Sequence, residues 1–310
     1  MKKLALITGV NYRNSGKASL NGCINDASAI LKKLVEEFDF KKSDIQLLIE
    51  EVATRKNILE GLEYLVGKLE PGDIGVFTYA GHGTQTVDLP PIGEDDMKDE
   101  AIVPIDAVNN HSNLIRDDEI QEILSQLKPN VHFLLIFDSC HSETVTRDLP
   151  SSEEEKTIKI LSSIEKVKSI NEFCEVINKF SRREIDSNEM YKKRLLPPSE
   201  TIDEIESIMS NIDEPGIRVR GDREHPLSGS NHVLLAGCKA DQSSLDDMVN
   251  GVHHGLFSIA LVENMKKGIT YKELFDLAYN RVQELNHSSY DQYPQLEGPD
   301  YLLNKKILEL

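Results

Sequence analysis

A chain of 310 residues is long enough for one large α/β domain or two modest ones, and its 39% apolar and 28% charged content fits a soluble globular protein rather than a disordered one. A formal net charge of −18 argues against a nucleic-acid backbone as main partner, because phosphates would be repelled. The same acidity keeps the chain soluble and would draw basic peptides from a distance, and no apolar run is long enough to span a membrane.

Met1-Lys2-Lys3 followed by Leu4 to Val10 has the outline of a signal peptide but lacks a small-residue cleavage site before Asn11. It reads instead as a first strand, Leu4 to Gly9. Asn25 to Phe38 carries Ile30, Leu31, Leu34, Val35 and Phe38 at helical spacing. Asp44 to Ile49 reads as a strand, and Thr54 to Leu69 as a helix capped by Thr54. Pro71-Gly72-Asp73 is a turn before a second apolar run, Ile74 to Tyr79. Asp117 to Leu127 reads as a helix opened by three acids, as its dipole favours. A third apolar run, Val131 to Phe137, follows. The βαβα rhythm predicts an α/β fold with a mostly parallel central sheet and helices on both faces.

The rhythm breaks after Arg147. Residues 148–226 are polar, with helical patches and recurrent basic pairs, and read as a long, partly helical insertion within a single domain spanning 1–310. The sheet resumes at His232 to Ala236, and helical stretches follow at Gly255 to Lys266 and Thr270 to Leu285. Gln292 to Gly298 reads as a loop, and His253-His254 as surface residues opening a helix. Cys23, Cys140, Cys174 and Cys238 are far apart, with no paired or metal-type spacing, so a reduced, cytoplasmic compartment is the simplest inference.

The chemistry sits where two strands end. Ile74 to Tyr79 runs into Ala80-Gly81-His82-Gly83, and Val131 to Phe137 runs into Asp138-Ser139-Cys140-His141. Parallel neighbours would bring His82 and Cys140 to the carboxyl edge of the sheet, where open α/β proteins place their sites. A thiol beside an imidazole is a nucleophile–base pair suited to acyl transfer. The bare Gly83 N–H and the Cys140 N–H are the natural oxyanion donors. His141 adjoins the thiol, but neighbours in extended chain point to opposite faces, which favours His82 as the base. Asp138, two residues before Cys140, shares its face, and Asp26 follows the first strand at the same edge. Asp26 also suits a helix N-cap.

Asn21-Gly22-Cys23-Ile24-Asn25-Asp26-Ala27, Tyr79-Ala80-Gly81-His82-Gly83, Asp99-Glu100-Ala101-Ile102-Val103-Pro104 and Asp138-Ser139-Cys140-His141-Ser142 resemble the ordered signatures of metacaspases, here of prokaryotic type. Gly237-Cys238-Lys239-Ala240-Asp241-Gln242-Ser243 and Pro294-Gln295-Leu296-Glu297-Gly298 are similar to the same family. The resemblance implies a caspase-like fold and a monomeric cysteine endopeptidase acting on proteins after Arg or Lys. Asp26 and Asp138 would bind the basic side chain, Cys23 would form a pocket wall, and Asp241 is a further pocket candidate. It also implies a calcium site drawing on Asp99, Asp117 and Asp118; hard oxygen donors of this kind suit Ca²⁺. Ala80 stands where many family members carry Ser, and Glu143 where Gly often follows, which bears on fine specificity rather than on the pair. In such an enzyme Arg182, Arg183, Lys193 and Arg194 become candidate self-cleavage sites, with the insertion covering the site until it is cut or displaced. Docking of a regulatory protein on the insertion is the competing role. A catalytically silent caspase-fold interaction module is the alternative for the whole chain, and the intact pair argues against it. A nucleotide-binding domain lacks its Gly-x-Gly-x-x-Gly, and a redox protein its Cys-x-x-Cys.

Overall fold

The computed structural model describes residues 1–13, 15, 18–87, 98–140, 192–194, 227, 231–239, 242–286 and 291–309. Its centre is a sheet whose strands, from one edge to the other, are β12 (Gln295–Glu297), β9 (Val233–Ala236), β7 (His132–Asp138), β3 (Ile74–Ala80), β1 (Lys3–Gly9) and β2 (Ile45–Ile49). All neighbours pair parallel except β12, which runs antiparallel to β9. β3 and β7 are buried at every residue, as apolar runs in a parallel sheet covered on both faces must be.

Alternation along the strands makes two cores. Leu6, Phe77, Tyr79, Phe133, Leu135 and Phe137 face one way, under α2 (Arg55–Lys68) and α3 (Asp117–Leu124). Ala5, Ile7, Val76, Leu134 and Ile136 face the other, under α1 (Cys23–Glu36), α4 (Leu256–Asn264) and α5 (Tyr271–Leu285). A short helix, α6 (Asp300–Leu303), lies near the end of the chain. Thr54 caps α2 by accepting from Asn57 N, as its place before the periodic run predicts. Among the described residues no helix is long and apolar enough to cross a membrane.

Several boundaries differ from the sequence reading, each for a local reason. α1 begins at Cys23, two residues early, because the Asp246 carboxylate accepts the N–H groups of Asn21 (2.9 Å) and Gly22 (2.8 Å) and so fixes the helix start from outside. Asp26 is therefore inside the first turn and is not the cap. α3 stops at Leu124; the next residues close short-range turns, Gln126 N to Ile123 O and Leu127 N to Leu124 O. The supposed loop at Gln292–Gly298 contains β12, too short for any period to reveal. The helix expected from Gly255 is preceded by a hairpin, β10 (Leu245–Val249) and β11 (Val252–Gly255). A further small antiparallel sheet, β4 (Gly83–Val87), β5 (Lys98–Ile102) and β6 (Ile115–Arg116), leaves the carboxyl edge directly after His82. Most of the 148–226 insertion is outside the described residues; β8 (Lys192–Lys193) and Arg194 are the part within them that bears on the site.

Candidate active site

β3 and β7 are neighbours in register, with Ala80 opposite Asp138. His82 and Cys140 each lie two residues further on, so both reach the carboxyl edge side by side. The main chain of His82 is held by two buried tyrosines. Its N–H donates to Tyr12 Oη (2.8 Å), and its carbonyl accepts from Tyr79 Oη (2.8 Å) and Val103 N (3.1 Å). The Tyr12 ring sits 4.6 Å from the imidazole, centroid to centroid. Gly81 has no side chain for a plain reason: a Cβ there would stand 2.6 Å from Tyr79 Oη and 2.8 Å from Tyr12 Oη.

The Nε2 side of the imidazole is tied to the main chain. His82 Nε2 lies 2.6 Å from the carbonyl oxygen of Ala18. A carbonyl only accepts, so Nε2 carries the proton and Nδ1 presents a bare lone pair. Nδ1 is buried and has no hydrogen-bond partner. Burial pushes the His82 pKa down to about 4; the Ala18 contact and the Arg194 main chain oppose this, and the charges of Arg194 and Lys192 add to it. The ring is therefore neutral at pH 7.

The Cys140 thiol is buried and rests on Ser244, receiving Ser244 N at 2.7 Å and facing Ser244 O at 3.3 Å. No hydrogen bond joins it to His82 in this conformation.

An arginine fills the space in front of the pair. Arg194 is wholly buried. Its carbonyl oxygen accepts from Gly83 N (3.0 Å) and Cys140 N (3.1 Å), and its own N–H donates to Ser244 O (3.0 Å). Its guanidinium donates to the Asp26 carboxylate and to the Asp138 carbonyl (3.1 Å), and pairs with Asp138 Oδ2 at 3.3 Å. Upstream, Lys193 and Lys192 pair antiparallel with Leu245 and Asp246 of β10. The two carboxylates are themselves held. Asp26 Oδ1 accepts from His254 Nδ1 (2.8 Å) and Asp26 Oδ2 from Gly255 N (3.0 Å). Asp138 accepts from Ser244 Oγ, from Ser258 N (3.0 Å) and from Ser258 Oγ (2.6 Å). Gly255 must be glycine, since a Cβ would overlap the Asp138 carboxylate and the Arg194 guanidinium. Cys23 lies buried in the same surroundings, its thiol pKa pushed well up by burial although the Arg194 charge works against this. A carbonyl polarised by two N–H groups, with a thiol and an unprotonated imidazole nitrogen at the same edge, is arranged for acyl transfer.

His254 is a correction: it is not a surface residue but sits on β11 with 12% side-chain exposure, against Asp26. Ser244, Ser258, Asp246, Tyr12 and Ala18 also build the site without a signal that the sequence analysis draws on, and Tyr79, quoted there within a motif, turns out to hold the His82 main chain. Asp246 lies on β10 and Ser244 immediately precedes that strand, two residues before Asp246 in the chain. Asp241, Arg182, Arg183 and His141 lie outside the described residues, and only the main chain of Lys193 is described.

The acids proposed for calcium sit apart from this pocket. Asp99 is on β5, with its carboxylate 3.5 Å from Arg116 Nε, and Asp117 and Asp118 open α3. Among the described residues no three His, Cys, Asp or Glu side chains converge so as to hold a metal ion. Residues 88–97, between β4 and β5, lie outside the described residues, and no step below passes through a metal ion.

Comparison with known proteins finds likeness to metacaspases. The family model for the metacaspase, peptidase C14 domain matches residues 2–150. Metacaspase-1 of Yarrowia lipolytica is 30% identical over 308 residues, covering 96% of this chain and 61% of the relative. Metacaspase-1 of Saccharomyces cerevisiae is 32% identical over 308 residues, covering 96% and 66%. Metacaspase-1A of Aspergillus oryzae is 30% identical over 302 residues, covering 94% and 66%. The chain thus spans about two thirds or less of the length of these relatives. A crystal structure of a Geobacter sulfurreducens protein shares the fold, with a TM-score of 0.60 at 20% identity over 100% of this chain and 99% of that one.

Proposed function

The chain belongs to the metacaspase family of caspase-like cysteine peptidases, and on that footing we propose that it hydrolyses peptide bonds after arginine or lysine, with Cys140 as nucleophile, His82 as general base, and Arg194 as its own first substrate. The observation that carries this reading is the seating of Arg194, whose carbonyl lies on two main-chain N–H groups while its guanidinium lies between two carboxylates.

The steps follow from these contacts. Rotation about χ1 of Cys140 takes the sulfur from Ser244 towards Nδ1 of His82, which accepts the thiol proton. The thiolate attacks the carbonyl carbon, and Gly83 N–H and Cys140 N–H hold the oxyanion. Collapse breaks the bond to the next residue, whose nitrogen takes the proton from His82 and leaves as an amine. Water, deprotonated by His82, then hydrolyses the thioester and frees an arginine carboxylate. Asp26 and Asp138 select the basic residue by charge-assisted hydrogen bonds.

While uncut, the Arg194 segment occupies the place of any other substrate. The test is intact-mass analysis of the full chain beside Cys140→Ala. Fragments ending at Arg194 and beginning at Leu195 are expected from the first and not the second. Equal fragmentation of both, or a stable wild type that also leaves Arg and Lys fluorogenic peptides uncut, overturns the reading in favour of a silent module. A calcium requirement, which the family resemblance implies, is tested by turnover in calcium against EDTA, and unchanged turnover removes it.

A further inference from the structure

We propose that the loop joining β1 to α1 recognises a lysine-like side chain at the third residue upstream of the cut, and that its occupation fixes the orientation of the His82 imidazole. This rests on the peptidase reading above and deepens it from a single basic pocket to a two-point preference.

The observation is a pair of adjacent carbonyls with different guests. The Ser19 carbonyl accepts from Lys192 Nζ at 2.8 Å. The Ala18 carbonyl, one residue before it, holds His82 Nε2 at 2.6 Å. Lys192 is two residues before Arg194, so strand alternation turns both side chains to the same side, and the second residue upstream faces away. Pairing of Lys192 with Asp246 on β10 sets how far the ammonium reaches.

The loop has few other ways to respond. Its far end is tied down, with Leu20 N on Asn11 O (2.7 Å) and Asn11 N on Glu50 Oε1 (3.2 Å). Ser19 Oγ donates to Tyr12 O at 3.0 Å, and Tyr12 both lies beside the imidazole, tilted by 32°, and accepts the His82 N–H. An ammonium drawing on the Ser19 carbonyl therefore acts on the residue next to the one whose carbonyl holds His82, in a segment also tied by Ala18 N to Ser15 O at 3.1 Å. An uncharged side chain of equal length leaves that carbonyl without a donor, and a carboxylate in its place would meet a carbonyl oxygen. The ligand class is a peptide with arginine or lysine before the cut and a long cationic side chain two residues earlier.

The experiment uses the full chain and a fluorogenic panel, Xaa-Lys-Arg-reporter, with lysine, norleucine or glutamate as Xaa. Lysine is expected to exceed norleucine by about tenfold in kcat/KM, the lower end for a hydrogen bond from a charged donor at a half-buried site. Part of the gain should appear in kcat. Glutamate should fall below norleucine. A fourth peptide moves the extra lysine one position further upstream at equal net charge, because a chain of net charge −18 attracts any cation. Equal cleavage of lysine and norleucine, a gain confined to KM, or the same gain from the displaced lysine each overturns the proposal. A panel in which no arginine peptide is cut, by a chain that also leaves its own Arg194–Leu195 bond intact, defeats the peptidase reading instead. The inference is then decided without turnover. In the Cys140→Ala chain carrying labelled histidine, Lys192→Met is expected to change the ring-nitrogen signals that mark which nitrogen carries the proton; unchanged signals, or a moved titration midpoint alone, which loss of the Lys192 charge produces by itself, overturn the coupling.

Discussion

Asp26→Asn is the sharpest test of the pocket. Asp26 is wholly buried and its carboxylate accepts from the Arg194 guanidinium, His254 Nδ1 and Gly255 N. Asparagine keeps the shape but removes the charge and turns an NH₂ towards donors. Removing one partner of a buried ion pair costs roughly 3–5 kcal/mol. Asp138 stays in place at 3.3 Å from the guanidinium, which favours the lower end. About 3 kcal/mol corresponds to about a hundredfold loss of kcat/KM for arginine peptides. The assay pairs an arginine peptide with its citrulline counterpart, alike in shape and uncharged. In the wild type the arginine peptide is strongly preferred, and in Asp26→Asn the gap narrows because only the arginine rate falls. Alkylation of Cys140 by iodoacetamide should be unchanged, since Asp26 touches neither Cys140 nor His82. An arginine rate within threefold of wild type refutes the assignment of Asp26 to the pocket.

Arg194→Gln removes the seated guanidinium and leaves Asp26 and Asp138 facing each other without a counter-charge. The chain is expected to lose the cut after position 194 and to turn over added peptides without a lag, measured by continuous fluorescence. Tyr12→Phe keeps the ring beside His82 and deletes the hydroxyl that takes its N–H; kcat is expected to fall about tenfold with KM unchanged. Stability should rise with pH between about 4.5 and 6.5. Burial lowers His82 and His132 to about 4, so the unfolded chain binds two protons there that the folded chain refuses. Burial also raises Glu50 to about 7, so in the same window the folded chain keeps one proton that the unfolded chain releases. The net is one proton, a slope of about 1.4 kcal/mol per pH unit. Denaturant midpoints of Cys140→Ala across that window check it, and Glu50→Gln should steepen the slope.

The pair was legible because each residue ends a run whose length and composition mark a buried strand, and a parallel sheet sends both ends to one edge. The partners of the pair were less so. His254 was read as helical because the periodicity of α4 was extended backwards through it. Yet Asn250-Gly251, at φ +52° and +80°, is the hairpin turn that should have stopped that reading and delivered His254 on a strand. Tyr12 and Ala18 could not be read at all. They lie in a loop without a period, and their contacts with His82 span more than sixty residues of sequence. Arg194 was named from composition, as one basic residue among several. What singles it out is two residues of β8, a signal too short for any sequence pattern to carry.

The seating of Arg194 also bears on when the enzyme would become active. A bound segment tethered to the same chain competes at an effective concentration in the millimolar range. Hydrolysis after Arg194 cuts the downstream link only, and residues 141–191 still join the segment to Cys140. The new carboxylate lies where Gly83 N–H and Cys140 N–H already hold the carbonyl oxygen, and the guanidinium contacts are untouched. Against this, among the described residues Lys192 and Lys193 alone pair with β10, so outside the pocket the described hold on the segment is that short pairing and the Lys192 contact with Ser19 O. The first cut should therefore leave peptide turnover low, and a second cut upstream, at Arg182 or Arg183, should release it. A time course that follows fragment masses and peptide turnover in the same sample decides this. Full turnover coinciding with the fragment that begins at Leu195, before any second cut, would show that the tethered arginine leaves unaided.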